Sequence, residues 1–155
     1  MAKSQVQFTK DNEYYTPKEF VSRFGQFDYD PATTKEKAEE FGIKNYDTIE
    51  TNGLTKDWTK YKRIWINPPF TIKHEFLIKA YDTYKQCGND IYILFPIEFI
   101  TTARFHNTAN GGKLFLPNGR INFESGLGKQ GKSPAFGSIV MKIQDKWEIE
   151  MIKIK

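Results

Sequence analysis

The apolar run Ile64-Trp65-Ile66 stops at Asn67-Pro68-Pro69-Phe70, and helical periodicity takes over near Ile72. Ile72, Phe76, Leu77, Ala80, Tyr81 and Tyr84 recur at helical spacing, which predicts a helix of about four turns ending at Gly88. Ile91-Tyr92-Ile93-Leu94-Phe95 is then an unbroken apolar run, as expected of an interior strand covered on both faces. Strand, helix and strand joined by a crossover of this length make a βαβ unit with neighbouring parallel strands. The chain is therefore expected to be α/β. Its Pro-Pro tip falls at the carboxyl end of a strand, where open α/β sheets bind ligands.

Two consecutive prolines fix φ twice and remove two backbone donors, so the Pro68 carbonyl is not consumed by a regular ladder and can face a cleft. Asn67 offers a second acceptor beside it, and Phe70 an apolar face on which a planar ring can stack. Two acceptors and a stacking face suit an aromatic amine that must be held and made nucleophilic. Asn-Pro also begins ordinary turns, so the four residues alone leave both readings open.

Upstream, Thr16-Pro17-Lys18-Glu19 reads as a helix start, with Thr16 as N-cap, Pro17 at the first position and Glu19 closing a capping box. Phe20, Val21 and Phe24 form its buried side, and Gly25 ends it. Phe27-Asp28-Tyr29-Asp30 alternates as a short strand that Pro31 stops. Asp30 at its end can hold a ligand's ammonium or hydroxyl groups, or cap the following turn. Thr33 or Thr34 caps a helix from Lys35 to Phe41, closed by Gly42. From Ile43 to Tyr61 the pattern weakens around the turn Asn52-Gly53-Leu54; Trp58 reads as a packed lid residue, and Asp47, Glu50 and Asp57 as solvated loop charges.

Downstream, Pro96 ends the second strand and residues 98–105 read as one short helix, with Thr101, Thr102, Arg104 and His106 clustered at its far end. His74 lies in the first turn of the long helix, where a surface histidine is the simpler reading. A Gly-rich basic loop spans about residues 106–133; it contacts DNA or is a solvated connection. Phe136 to Ile143 and Trp147 to Ile154, joined around Asp145-Lys146, read as a closing β-hairpin.

The 155 residues suit a single domain, 1–155, that buries roughly two thirds of its unfolded surface. A formal charge of +4 favours a polyanionic partner. Cys87 cannot form an internal disulfide, and with only His74 and His106 beside it no metal set is expected. No apolar stretch approaches the ~18 residues that span a bilayer, so no membrane partner is expected and the reducing cytoplasm fits best.

The ordered set of motifs resembles the phage-type DNA adenine-N6 methyltransferase family. Tyr15-Thr16-Pro17 looks like the family's N-terminal cofactor motif, Phe27 through Ala32 its acidic first-strand motif, and Gly53-Leu54 with Asp57-Trp58 its spacer. Asn67-Pro68-Pro69-Phe70 is similar to its catalytic motif, and Pro96 to Phe105, Gly119 to Phe123 and Pro134 to Ser138 correspond to later blocks. The resemblance runs from about residue 12 to residue 143. It departs from the common methyltransferase pattern after the first strand, where Pro31-Ala32-Thr33 stands in place of glycines.

This resemblance implies a Rossmann-like methyltransferase fold with a mixed, mostly parallel sheet, S-adenosylmethionine as donor, and adenine N6 in DNA as acceptor. It implies catalytic roles for Asn67, Pro68, Pro69 and Phe70, donor binding by Tyr15, Thr16, Pro17, Asp30, Pro31 and Asp57, and DNA contacts from Arg104, His106, Lys113 and Arg120. A bacterial cytoplasm and a phage or prophage origin follow. With no separate target-recognition domain evident, sequence readout is expected to be limited or to fall to residues 101–133. Cytosine N4, protein glutamine, or a catalytically silent nucleic-acid-binding role remain alternatives at this level.

Overall fold

The computed structural model describes residues 14–121, 124–125 and 137–154. In chain order they form β1 (Tyr14–Tyr15), α1 (Lys18–Val21), β2 (Tyr29–Asp30), α2 (Lys35–Phe41), β3 (Asn45–Tyr46) and β4 (Arg63–Ile66). There follow α3 (Lys73–Cys87), β5 (Asp90–Pro96), α4 (Ala103–Thr108), β6 (Gly112–Pro117), β7 (Glu124–Ser125), β8 (Ser138–Lys142) and β9 (Trp147–Ile152). Single 3-10 turns cover Ser22–Phe24, Gly53–Thr55, Phe70–Ile72 and Ile97–Thr101.

Seven strands make one sheet in the order β3-β2-β4-β5-β8-β6-β9. β3, β2, β4 and β5 are mutually parallel. β8 is antiparallel to both β5 and β6, so β6 runs with β5, and β9 is parallel to β6. The sheet is thus mixed and mostly parallel, with β8 the reversed strand. β1 and β7 pair separately as a two-stranded ribbon.

Residue alternation divides the core into two layers. Ile64 and Ile66 of β4, with Ile91, Ile93 and Phe95 of β5, pack under Phe76, Leu77, Ala80 and Tyr81 of α3. Trp65, Tyr92, Leu94 and Val140 point the other way, onto Phe20 and Val21 of α1 and Ala38 of α2. Both faces of the interior strands are covered, which is why β5 carries no polar alternation. The crossover through α2 leads from β2 outward to β3, whereas that through α3 leads from β4 to β5 on the other side. Right-handed crossovers that diverge in this way put their helices on opposite faces and leave a crevice between the carboxyl ends of the two central strands. β2 and β4 are those strands.

Local signals explain most of these elements. Thr34 caps α2 through its side chain, accepting from Lys37 N, and Gly42 and Gly88 close α2 and α3 in the left-handed conformation. Arg63 fastens α1 to the sheet: its guanidinium donates to the Phe24 and Gln26 carbonyls at 2.7 Å each and stacks over Phe27 and Tyr92. Asp28 accepts the backbone N–H groups of Lys62 and Arg63, which registers the start of β2 on β4.

Four expectations are corrected. Thr16 does not cap α1: the helix begins at Lys18, Pro17 holds the N-cap position without a side-chain cap bond, and the Thr16 hydroxyl is engaged elsewhere. Residues 98–105 are not one helix but a 3-10 turn and α4, broken at extended Thr102, whose hydroxyl accepts from Phe105 N. Part of the expected 106–133 loop is the strand β6; residues 122–123 and 126–133 of it lie outside the described residues. β8 and β9 do not form a hairpin, because β6 lies between them and bonds to both.

That insertion depends on glycine. The turn joining β8 to β9 crosses the start of β6, where Gly112 N donates to Lys146 O. Gly111, at φ +151°, lies so close that a Cβ there would meet the Asp145 and Gln144 carbonyls at 2.4 and 2.5 Å. Only glycine combines that backbone angle with that approach. Among the described residues no helix is long and apolar enough to cross a membrane.

Candidate active site

A cavity of about 340 Å³ opens at the crevice between β2 and β4. One wall is Thr16, Asn67, Pro68, Pro69 and Phe70; another is Asp30 with the turn Pro31 to Thr34; a third is the loop Thr48 to Leu54. Ile72 and Phe76 close it from the start of α3, and Lys37 and Phe41 from α2.

The tip sits where the sequence places it, immediately past β4. Pro68 is buried, Asn67, Pro69 and Phe70 are half-buried, and a 3-10 turn from Phe70 leads into α3. Asn67 donates Nδ2 to Thr16 Oγ1 at 2.9 Å. Thr16 is itself buried and also lines the cavity. The bond orients the Asn67 amide, with its acceptor Oδ1 at the opposite corner from Thr16.

Asp30 is the one buried carboxylate among the described residues. Its Oδ1 accepts from Ala32 N at 2.9 Å, so it does cap the turn after β2 while also lining the cavity. Burial pushes its pKa up to about 7, with the Ala32 bond acting in the opposite direction. A carboxylate desolvated to that degree is stabilised by a cation brought to its other oxygen.

Pro31 forms part of the wall, and Gly53 is packed on it so closely that a Cβ would meet the Pro31 carbonyl at 2.0 Å. Loop 48–54 is held there by Asn52, at φ +54°, whose side chain accepts from Leu54 N, and by Trp58, whose indole donates to Gly53 O at 2.8 Å. Trp58 is therefore a core residue that carries the loop. The contribution of Thr48, Ile49 and Asn52 to the cavity was not visible in the sequence. It depends on the short strand β3, whose parallel pairing with β2 returns the chain beside Asp30 through Asp47 N to Asp30 O at 2.9 Å.

The remaining expected residues scatter. Tyr15 belongs to β1, where it pairs with Glu124. Pro17 does not line the cavity, and neither does Asp57. Asp57 is fully exposed beside a separate polar depression and accepts from the backbone and hydroxyl of Thr59, which hold its carboxyl below the usual range. It closes its own turn instead of facing Asp30.

Of the expected DNA contacts, Arg104 and His106 are exposed on α4, and His106 Nε2 lies 2.8 Å from Ile100 O. Arg120 is exposed just past β6, whose carboxyl end shares the cleft edge with that of β4. Lys113 differs from expectation: it lies within β6, level with Lys142 and Tyr92, and pairs with Glu150 at 3.0 Å. A strand cation compensated by its neighbour is not a loop cation at the cleft.

The model of a DNA N-6-adenine-methyltransferase (Dam) family matches residues 3–154. The chain belongs to that family. It is also 28% identical over 157 residues to a DNA N-6-adenine-methyltransferase of Escherichia phage T1, an alignment covering 88% of this chain and 64% of the relative. The chain thus spans under two thirds of that relative's length. Within this Dam-family chain, the tip, the acidic strand end and the loop 48–54 form one cavity although they are far apart in sequence.

Proposed function

We propose that this chain is an S-adenosylmethionine-dependent methyltransferase of Rossmann-like fold that acts on the N6 amine of adenine in DNA. The observation that carries the proposal is the single cavity shared by Asp30 and the Asn67-Pro68-Pro69-Phe70 tip at the point where the crossovers diverge. Family membership supports methyl transfer, and the strand order supports the fold.

The residues present fit the donor. Asp30, desolvated and with Ala32 N as its hydrogen-bond donor among the described residues, suits an ammonium or hydroxyl group, while Pro31, Thr33 and Thr34 line the same wall. When bound there, S-adenosylmethionine supplies an electrophilic methyl group on a sulfonium. Ile49 and Leu54 offer apolar surface within the cavity.

At the tip the chemistry is one of positioning. An adenine amine is weakly nucleophilic because its lone pair is delocalised into the ring. Asn67 Oδ1 and the Pro68 carbonyl accept its two hydrogens, which favours the pyramidal nitrogen needed for attack. The bond from Asn67 Nδ2 to Thr16 holds the amide in place before substrate arrives. Fixed dipoles of this kind contribute several kcal/mol at a water-excluded site. Since a stacked base cannot reach the crevice, the target adenine must be flipped out, and Phe70 supplies its stacking surface.

Incubation of DNA with the protein and labelled donor, digestion to nucleosides and mass spectrometry test the assignment. Label in N6-methyladenosine is the expected product. Label in methylcytosine would overturn the base, and label only in added protein would overturn DNA as substrate.

A further inference from the structure

The first residue of α3 is a lysine with an uncommon setting. Lys73 is half-buried, and its Nζ donates to the Phe70 carbonyl at 2.8 Å, so it is fastened to the tip. The same ammonium lies 5.1 Å from the ring centre of Phe99, in the 3-10 turn after β5. That turn and α4 are docked on the start of α3 by His74, which lies 2.9 Å from the Thr108 hydroxyl and edge-on to Phe99. Phe99, the ring that Lys73 faces, also packs on Phe105 of α4 with ring centres 5.7 Å apart, and Arg104 is the residue before Phe105. Burial and the Arg104 charge both lower the Lys73 pKa, against a smaller opposite effect from Glu75.

Among the described residues neither Lys73 nor Arg104 makes a salt bridge, whereas Lys37, Arg63, Lys113 and Lys142 do. Two cations without a salt bridge among the described residues therefore lie on the elements that flank one rim of the tip. Lys73 bears a desolvation cost as well. Such an arrangement favours an anion that bridges the two, and an arginine fork beside a lysine point charge is suited to phosphate oxygens.

We propose that Lys73 and Arg104 form a phosphate clamp, which grips the DNA backbone next to the nucleotide whose base enters the cavity. This rests on the adenine-in-DNA reading above. The Lys73 bond to the Phe70 carbonyl ties the clamp to the stacking residue, so backbone grip and base capture share one rigid element.

The test uses the full chain, a fluorescent adenine-containing duplex and anisotropy titrations at several salt concentrations. Lys73→Gln and Arg104→Gln should each reduce the slope of log K against log salt by about one, since each lost phosphate contact releases one counterion fewer. Donor affinity by calorimetry should be unchanged, because neither residue lines the cavity. Wild-type slopes in both variants would overturn the clamp, even where Lys73→Gln lowers thermal stability. N6-methyladenosine formed by wild type together with unchanged slopes would defeat the clamp alone. Reduced slopes together with label only in methylcytosine would support the clamp and defeat the base assignment. Failure of the wild-type protein to bind the duplex would overturn both.

Discussion

Asn67 and Thr16 are 51 positions apart in the chain, yet the Asn67 side-chain nitrogen lies 2.9 Å from the Thr16 hydroxyl oxygen at the mouth of the crevice. Thr16 is thus a positioning residue for the tip. Thr16→Val keeps the shape and removes the acceptor, and should lower kcat by roughly ten-fold while Thr16→Ser restores it. Asn67→Ala should cost at least ~100-fold in kcat, as expected for loss of a preorganised polar group at a reacting centre. Donor affinity, measured by calorimetry, should survive in Asn67→Ala; retention of most of the rate would sink the mechanism.

Asp30 gives a prediction with a definite sign. In the unfolded chain the carboxyl ionises near 3.8, whereas burial raises it to about 7 in the fold. Between those values the folded state holds a proton that the unfolded state has lost, so stability contributed at low pH is lost as pH rises toward about 7. Asp30→Asn has no such loss and can still accept from Ala32. The donor-free variant should melt a few degrees above wild type at about pH 8 and close to it near pH 4, by scanning calorimetry. Its donor affinity should fall, and wild-type affinity should rise as pH passes upward through about 7. An unchanged dissociation constant in Asp30→Asn would leave Asp30 with its turn alone.

Phe70 is half-buried and lines the cavity. Phe70→Tyr should remain active because both rings present a stacking face, whereas Phe70→Ala should raise KM for DNA by an amount equivalent to roughly 1–3 kcal/mol. Equal behaviour of the two variants would mean that Phe70 is only packing.

Gly53 tests the wall opposite the tip. A Cβ would lie 2.0 Å from the Pro31 carbonyl, a backbone atom that cannot swing aside. Gly53→Ala should push loop 48–54 outward, destabilise the fold by about 1–3 kcal/mol and weaken donor binding. Wild-type melting and donor affinity in this variant would show that the loop is not held against Pro31.

Arg120 and Lys113 separate cleft-edge charge from charge compensated within the sheet. Arg120→Ala should reduce the salt slope of DNA binding by about one, while Lys113→Ala, which removes the partner of Glu150, should leave it unchanged. Measured slopes in the reverse order would return the DNA face to the side of the sheet where Lys113 lies.

Local chemistry was enough to determine several elements from the sequence. Thr34 and Gly42 bound α2, Gly88 ends α3, and the apolar runs of β4 and β5 mark parallel interior strands. Each is specified by residues within a few positions, through caps, glycine in the left-handed region, or burial on both faces. The Asn67 tip and Asp30 were legible for the same reason, because a proline stop after a strand is a local event.

Tertiary structure decided the rest. Whether Thr16 caps a helix or orients Asn67 depends on where α1 lands, which Arg63 and the aromatic packing of Phe24 against Trp65 determine from the sheet. Whether β8 and β9 meet depends on β6, a strand with glycines on both sides that reads as loop until Gly111 is seen against the crossing turn. Lys113 carries the right charge but points to Glu150, a partner that the fold brings to it. The placing of Phe99 and α4 beside Lys73 needs the docking of His74 on Thr108. Long-range pairing sets these relationships, and it depends on shape and complementarity between distant segments, which no run of adjacent residues encodes alone.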